Sequence, residues 1–462
     1  MTTCRRRHKL LLPVLWCIIA LASLVVLGPT GTTAEDADQP SLAQVESSHA
    51  PPTARASTAL AASQAFLPNP AVAAMLAQVQ QSTLYTYTGQ LSGEWPALIG
   101  GVPYTITTRY TDSGTPIQMA TQYVYEHMQA LSLTVSYHDW TYLGHSNRNA
   151  VGVLTGTTHP DEIVLVTAHL DDMPSLGLAP GADDNASGSA GVLVAADILH
   201  QYQFERTLRF VFFTGEEQWL WGSHEYAESV YNAGDNIVAV YNMDMIAWNS
   251  DISPTLWLHT RRPDNPGYAG DLAIAGVFTN VVDVYGLSGD LTPVITADGT
   301  SASDHSSFWN KGYSAILAIE DWNDRNEHYH TSNDRLQFLD MTYFTNYVKA
   351  SVGTAAHLAC PLQEAGILTG VVSDAITFMP IAGAQVQVKS GLCPTHTGIS
   401  DSEGVYSLTL PVGVYSVTAS ASRYWPNTAL GVVITSTAPE DLDMPLIPVR
   451  FTYMPLVFKN AL

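Results

Sequence analysis

The sequence predicts an α/β domain, built on a mostly parallel mixed sheet with helices on both faces, followed by a small all-β sandwich. Short apolar runs alternate with stretches of helical periodicity between residues 71 and 360. Short alternating strands, separated by turn residues, follow from residue 365 to residue 447. Of the 462 residues, 46% are hydrophobic and only 13% are charged, which excludes a disordered or fibrous chain.

The N-terminal 34 residues have the pattern of a secretory signal peptide. Basic residues lie between positions 5 and 9, an apolar run covers 10–27, and small residues precede Ala34. Because the apolar run is also long enough to span a bilayer, an uncleaved membrane anchor is the alternative. We therefore expect a secreted or extracellular protein that has no membrane contact after cleavage. Residues 35–70, rich in Ala, Ser, Thr, Gln and Pro, are expected to form a linker or propeptide.

The predicted domain over residues 71–360 contains both strand-like and helix-like segments. The apolar runs are 150–154, 163–167, 208–214, 237–245 and 314–319, and the helical stretches are 115–131, 188–202 and 223–231. Continuous apolar runs separated by helices are typical of parallel strands that are buried on both faces. Functional sites in such sheets form at the carboxyl ends of the strands.

The C-terminal part has a different pattern. Strands are predicted to begin at 370–372 and to continue at 384–389, 404–410, 413–419 and 430–435. The strings at 380–386 and 410–417 resemble the carboxypeptidase regulatory-like β-sandwich. We assign this fold to residues 365–447, leave 448–462 as a tail, and expect the domain to stabilise the chain or to contact a surface or a carbohydrate.

The net charge indicates which partners the protein can bind, and the cysteine content indicates its disulfide bonding. The formal charge of −23 disfavours binding to nucleic acid, since an acidic protein repels phosphate. Signal cleavage would leave only Cys360 and Cys393. In an oxidising compartment these two predict one disulfide, and two buried free thiols are the alternative.

Five short segments concentrate carboxylate and imidazole side chains. They lie at 167–172, 181–188, 214–217, 242–246 and 328–334. Four of them follow or close an apolar run, and parallel strands bring their carboxyl ends to one edge of a sheet. We therefore expect a cluster at that edge that contains His169, Asp183, Glu216, Glu217 and Asp244.

This combination of side chains predicts a metal site. A cluster of carboxylates needs positive charge among its members, and carboxylate with imidazole is a ligand set of Zn²⁺. One catalytic zinc takes three protein ligands and a water, so five candidates suit two zinc ions that share a carboxylate. Glu216, next to the ligand candidate Glu217, can serve as general base and acid. Asp171 can accept the second imidazole N–H of His169 and so orient the ring.

In order and residue type, the five segments resemble the di-zinc exopeptidases typified by bacterial leucyl aminopeptidase and aminopeptidase Y, which include glutamate carboxypeptidase-like members. The shared pattern is His-x-Asp, a Gly-Ala-Asp-Asp-Asn-Ala-Ser-Gly loop, Glu-Glu, an Asp in a strand and a late Tyr-His-Thr. The resemblance implies that Asp183 bridges the two zinc ions and precedes a cis peptide bond to Asp184. It assigns the remaining ligands as follows: His169 and Asp244 on one ion, Glu217 and His330 on the other.

Two pairs of residues near these motifs have alternative interpretations. His328 is the alternative to His330, and the Thr-Ser-Asn-Asp string after His330 favours the latter by resemblance. Asp172 and Asp184 are expected to have supporting or structural roles.

Three further side chains are candidates for the substrate pocket. Ser303, in a Ser-Asp-His segment, either lines the pocket by resemblance or caps a helix. Trp219 and Trp221 are expected to pack in the core, because aromatic residues mostly contribute buried area.

The sequence as a whole predicts a secreted di-zinc aminopeptidase that removes N-terminal residues from peptides. A carboxypeptidase or dipeptidase of the same fold is the runner-up; it would need a basic residue for the substrate carboxylate, and Arg325 and Lys311 are the nearest candidates. Glutaminyl cyclases resemble this fold with a single zinc, and a non-catalytic surface-binding protein is the last alternative.

Overall fold

The computed structural model describes residues 68–449, except 175, 176, 252 and 363. The predicted signal peptide, most of the linker and the tail from residue 450 onward lie outside the described residues. Among the helices of the described part, none combines the length and hydropathy that crossing a membrane requires.

The helices of the described part are α1 Pro70–Leu76, α2 Gln81–Leu91, α3 Thr115–Ala130, α4 Ala186–Leu199, α5 Trp221–Ala233, α6 Tyr268–Val284, α7 His305–Trp309 and α8 Met341–Ala359. The helix α4 is buried along almost its whole length, which its small and aliphatic residues permit. It begins after Asn185, whose side chain accepts a hydrogen bond from the amide of Gly188 and so caps the helix. This cap sets where the loop before α4 ends.

A large mixed sheet forms the centre of the first domain. The strands up to residue 320 are β1 Ala97–Ile99, β2 Val102–Tyr104, β3 Thr134–Tyr142, β4 His145–Leu154, β5 His159–His169, β6 Arg206–Phe213, β7 Asn236–Asp244, β8 Thr255–His259, β9 Thr292–Thr296 and β10 Ala315–Glu320. The first two form a separate hairpin, and the other eight have the order β3-β4-β6-β5-β7-β10-β8-β9. The four central strands β6, β5, β7 and β10 are parallel. The predicted α/β fold class is confirmed.

Both faces of this sheet are covered, as the continuous apolar runs predict. Val164 and Val166 of β5 point into the core beneath α4, α6 and α8. Ile163 and Leu165 of the same strand point into a second core that includes residues of α5 and α7. Successive side chains of a strand face opposite sides, so a strand between two helical layers must be apolar at every position.

The C-terminal domain consists of two packed sheets. Its strands are β11 Ala365–Asp374, β12 Gln385–Lys389, β13 His396–Ile399, β14 Val405–Pro411, β15 Gly413–Ser420, β16 Tyr424–Trp425, β17 Asn427–Ile434, β18 Glu440–Asp441 and β19 Met444–Pro448. One sheet has the order β14-β11-β19-β16, with β18 on β11, and the other has the order β13-β12-β15-β17. A single apolar core contains residues of both sheets, such as Leu368 and Val388. This is the predicted β-sandwich.

The predicted disulfide between Cys360 and Cys393 is present, with the two Cα atoms 5.7 Å apart. It joins the end of α8 to the C-terminal domain. The carbonyl of Cys360 accepts a hydrogen bond of 2.9 Å from the amide of Glu205, the residue before β6. His396 of the C-terminal domain lies 3.8 Å from the Glu205 carboxylate. The two domains therefore meet at the amino ends of the central strands, away from their carboxyl ends.

Candidate metal centre

The carboxyl ends of the central strands bring together two imidazoles and three carboxylates. Nε2 of His169 lies 3.1 Å from Oδ1 of Asp244 and 3.3 Å from Oδ1 of Asp184. Nε2 of His330 lies 3.0 Å from Oε2 of Glu217 and 3.2 Å from Oδ2 of Asp184. Asp184 thus presents one oxygen to each half of the cluster. The structure thus brings His169, Glu217, Asp244 and His330 together, and their role as ligands stays a prediction.

The structure corrects one predicted position, because Asp184 and not Asp183 occupies the centre. The carboxylate of Asp183 points away and accepts hydrogen bonds of 3.1 Å from the Ala247 amide and from Nδ2 of Asn326. The cis peptide bond likewise lies one residue later than predicted, between Asp184 and Asn185. The supporting role expected for Asp184 is therefore wrong.

A carboxylate far along the chain determines which of the two aspartates faces the cluster. Asp334 accepts hydrogen bonds of 2.9–3.1 Å from the backbone amides of Asp183 and Asp184. The Asn326 side chain donates to Asp334 as well as to Asp183. The turn is thereby held with Asp183 in the interior and Asp184 toward His169.

Asp171 lies behind His169, on the side of the imidazole opposite the cluster. Its Oδ1 is 3.7 Å from Nδ1 of His169, and its carbonyl oxygen is 3.2 Å from the same nitrogen. The carboxylate also accepts hydrogen bonds from the backbone amides of Glu216 and Glu217, at 3.3 and 3.2 Å. Asp171 therefore links the loop after β5 to the turn after β6.

The Glu216–Glu217 turn supplies one carboxylate to the cluster and keeps a second one beside it. Oε1 of Glu217 is buried and has no hydrogen-bond partner among the described residues. Burial raises the pKa of Glu216 well above its usual range; His169 opposes this shift, whereas Asp244 and Glu217 add to it. A carboxylate whose pKa lies closer to neutrality is suited to proton transfer.

The electrostatics of the cluster favour a bound cation. Burial and the nearby Asp184 raise the pKa of Glu217 to about 8. Burial lowers the pKa of His330, but hydrogen bonds to Asp184 and Glu217 outweigh it and raise the value to about 10. The cluster thus retains protons to offset its buried negative charge, and a metal ion can replace them.

The donor atoms fit a metal ion by position as well as by charge. His169, Asp184 and Glu217 each place one donor atom within 4.8 Å of the other two. Carboxylate and imidazole are common zinc ligands, and the unpartnered Oε1 of Glu217 is free to bind one.

Ser303 is a contributor whose role the sequence left open. Its hydroxyl donates a hydrogen bond of 2.7 Å to Oδ2 of Asp244 and accepts one of 2.9 Å from the Asn242 side chain. The helix α7 begins only at His305, so Ser303 is not its cap. Instead it holds the oxygen of Asp244 that does not face His169. The Ser-Asp-His motif pointed to this segment, but this contact depends on a distant strand.

The remaining alternatives are also decided. His328 packs against Trp248 and Phe338, outside the cluster. Trp221 is buried as expected, whereas Trp219 is 65% exposed, so the core prediction is wrong for Trp219.

Two regions of the chain match models of known protein families. Residues 149–354 match the family model described as Peptidase family M28, and residues 367–446 match the Carboxypeptidase regulatory-like domain. The region that contains the cluster is thus similar to peptidase family M28, and the region after it is similar to carboxypeptidase regulatory-like domains.

Among sequence relatives, the chain is similar to two fungal proteins named leucine aminopeptidase 1. It is 27% identical over 210 residues to that of Leptosphaeria maculans, covering 43% of this chain and 53% of the relative. It is 27% identical over 274 residues to that of Paracoccidioides brasiliensis, covering 54% of this chain and 67% of the relative. The chain therefore spans between about half and two thirds of the length of these relatives.

Solved structures show the same fold. The LapA aminopeptidase of Legionella pneumophila superposes with a TM-score of 0.53 at 21% identity, over 65% of this chain and 76% of that one. A zinc aminopeptidase of Bacillus subtilis superposes with a TM-score of 0.51 at 13% identity, over 61% of this chain and 96% of that one.

Proposed function

We propose that the protein is an aminopeptidase that depends on two zinc ions and hydrolyses the N-terminal residue from peptides. The observation that carries the proposal is the position of Asp184, which offers one carboxylate oxygen to His169 and the other to His330. A carboxylate placed in this way suits a pair of ions rather than a single one. The names of the fungal relatives support the choice of the amino terminus.

Five residues would hold the two ions. His169, Asp184 and Asp244 surround one position, and Asp184, Glu217 and His330 surround the other. In the structure the imidazole nitrogens of His169 and His330 contact the carboxylate oxygens directly. With zinc bound, each of these atoms would bond to an ion instead. Zinc in such a site supplies Lewis acidity and lowers the pKa of a water molecule.

The chain's own residues perform the proton transfers and the positioning. Glu216 takes a proton from the attacking water at its carboxylate and later delivers it to the leaving amine. Asp171 keeps the ring of His169 directed at the cluster, and Ser303 holds Asp244. The net negative charge of the chain, −23 by formal count, would favour a cationic N-terminal amine over an anionic group.

The test uses purified protein and aminoacyl-p-nitroanilide substrates, with zinc content measured on the same samples. We expect two zinc ions per chain, loss of hydrolysis after chelation, and recovery when zinc is added. The Glu216→Gln variant should keep its zinc and lose about 10²–10⁴-fold in turnover, because it removes only the proton carrier. Glu364→Gln, on the C-terminal domain, is the matched control and should behave as wild type. Undiminished hydrolysis by the zinc-free protein would refute the proposal.

The runner-up, a carboxypeptidase or dipeptidase, depends on a basic residue that could bind a substrate carboxylate. Lys311 forms an ion pair with Glu228, so its positive charge is already paired within the protein. Arg325 is exposed, five residues before His330, with its guanidinium over the Trp322 ring. Mass spectrometry of a digested peptide library shows which end is trimmed. Trimming at the carboxyl end, with loss of that activity in Arg325→Ala, would favour the runner-up.

We also propose that the protein is exported by its N-terminal segment, in agreement with the disulfide between Cys360 and Cys393. Intact-mass measurement of protein from the culture medium should show a chain that begins near residue 35. Retention of residues 1–34 in a membrane fraction would indicate the anchored form. Contact of the C-terminal domain with a surface or carbohydrate stays a prediction, which co-sedimentation of the full chain with insoluble polysaccharide can test.

A further inference from the structure

A short segment before α3, residues 109–111, reaches the metal centre from outside the matched family region, which covers residues 149–354. Its side chains alternate between interior and surface: Arg109 and Thr111 are buried, and Tyr110 between them is partly exposed. The two buried side chains contact loops that carry candidate ligands.

Arg109 connects the two ends of loop 170–185, which joins β5 to α4. The guanidinium donates hydrogen bonds of 2.6–2.9 Å to the carbonyl groups of Leu91, Leu170, Pro180 and Gly181. It also forms an ion pair of 3.3 Å with Asp172, and both side chains are fully buried. Leu170 directly follows His169, and Gly181 lies three residues before Asp184. One planar group with several donors thus links the two ends of this loop.

Thr111 connects the loop after β5 to the turn after β6. Its hydroxyl donates a hydrogen bond of 2.8 Å to Oδ2 of Asp171 and accepts one of 3.0 Å from the amide of Gly215. Asp171 lies behind His169, and Gly215 directly precedes Glu216. This single hydroxyl is therefore shared between the residue that orients an imidazole and the turn that presents the proposed base.

We infer that segment 109–111 is a positioning element of the metal centre. Arg109 sets the separation of the two ends of loop 170–185, and so of His169 and Asp184, and Thr111 sets the orientation of Asp171 relative to the Glu216–Glu217 turn. The inference rests on the proposed function, since positioning matters only if the cluster binds zinc and acts on a substrate. Neither residue touches the cluster directly, so neither is a catalytic residue.

The test compares Thr111→Val with Thr111→Ser. Valine has the shape of threonine without its hydroxyl, and serine retains the hydroxyl. We expect Thr111→Val to bind zinc about 10-fold more weakly in competition with a chelator, at the lower end of the effect of removing a direct partner of a metal ligand, because Thr111 acts through Asp171. Its kcat should fall with little change in KM, and Thr111→Ser should restore both zinc affinity and kcat.

The matched control is Thr354→Val, which removes a buried threonine hydroxyl from α8; among the described residues, this hydroxyl bonds to the carbonyl of Ala350. It should lower thermal stability and leave zinc affinity unchanged. If Thr111→Val likewise loses only stability, the positioning inference is overturned.

A second variant, Arg109→Lys, keeps the inference testable if Thr111→Val does not fold. Lysine retains the charge beside Asp172 but cannot donate to all four carbonyl groups. We expect it to weaken zinc binding, and wild-type zinc affinity in the folded variant would count against the inference. Wild-type protein that neither binds zinc nor hydrolyses peptides would instead refute the proposed function. Wild-type protein that does both, with normal Thr111 and Arg109 variants, would overturn only this inference.

Discussion

Because Asp184 and not Asp183 lies at the centre of the cluster, the two aspartates should respond differently to substitution by asparagine. Asp184→Asn should abolish most activity and reduce zinc content, whereas Asp183→Asn should leave both nearly intact. Burial opposes ionisation of Asp184, but hydrogen bonds from His169 and His330 outweigh it and hold its pKa well below its usual range. Burial and the nearby Asp334 raise the pKa of Asp183 well above its usual range, and its carboxylate accepts hydrogen bonds from Ala247 and Asn326 rather than facing the cluster.

The expected magnitudes follow from these contacts. Asp184 makes two charged contacts, at 3.3 and 3.2 Å, which stand in for its bonds to two ions. A charged hydrogen bond contributes about 1.5–3 kcal/mol, so two contribute about 3–6 kcal/mol. This corresponds to about 10²–10⁴-fold in kcat/KM. Asp183→Asn keeps the shape of the side chain but turns one of its two accepting oxygens into a donor, and it should cost about 1–3 kcal/mol of stability.

The assay measures zinc per chain, kcat/KM and thermal unfolding for both variants under identical zinc concentrations. Thermal unfolding shows whether each variant is folded, so that loss of activity is not mistaken for loss of structure. The reasoning is refuted if a folded Asp183→Asn protein loses zinc and activity as completely as Asp184→Asn. Equal retention of zinc in both variants would show that neither aspartate binds the metal.

Three further outcomes are expected. Ser303→Ala should weaken zinc binding and kcat/KM by about 10–100-fold, because Asp244 loses its hydrogen bond; unchanged zinc affinity would contradict this. The pKa of His330 is raised from its usual value of 6.5 to about 10, so protonation of this imidazole stabilises the zinc-free protein. This stabilisation is fully present below pH 6.5 and is lost as the pH rises through 10. Thermal unfolding of chelated protein should therefore show a decline over this window, and a profile that rises with pH would count against it. Cys360 and Cys393 lie 33 residues apart, and replacing both by Ser should lower the free energy of unfolding by about 3–4 kcal/mol, measured with denaturant. The replacement should leave kcat unchanged, because the disulfide lies near the amino ends of the strands and the cluster lies at their carboxyl ends.

Much of the fold was predictable because the pattern of apolar residues is local. The part of β5 that is buried on both faces, residues 163–168, is apolar except for Thr167, and this run ends at His169, the last residue of the strand. The edge strands were harder to predict. The strand β3 lies at one edge of the large sheet with several partly exposed residues, so its sequence lacks a continuous apolar run.

The sequence by itself determined the α/β class, the β-sandwich, the disulfide pair and the types of side chain that meet at one sheet edge. Only the tertiary structure decided that Asp184 faces the cluster, since the turn is held by Asp334, 151 residues from Asp183. It also decided that Ser303 holds Asp244 and that Thr111 holds Asp171. The physical reason is that residue type and strand position follow from local periodicity. The direction in which one of two adjacent carboxylates points depends on hydrogen-bond partners from distant segments, which local periodicity does not specify.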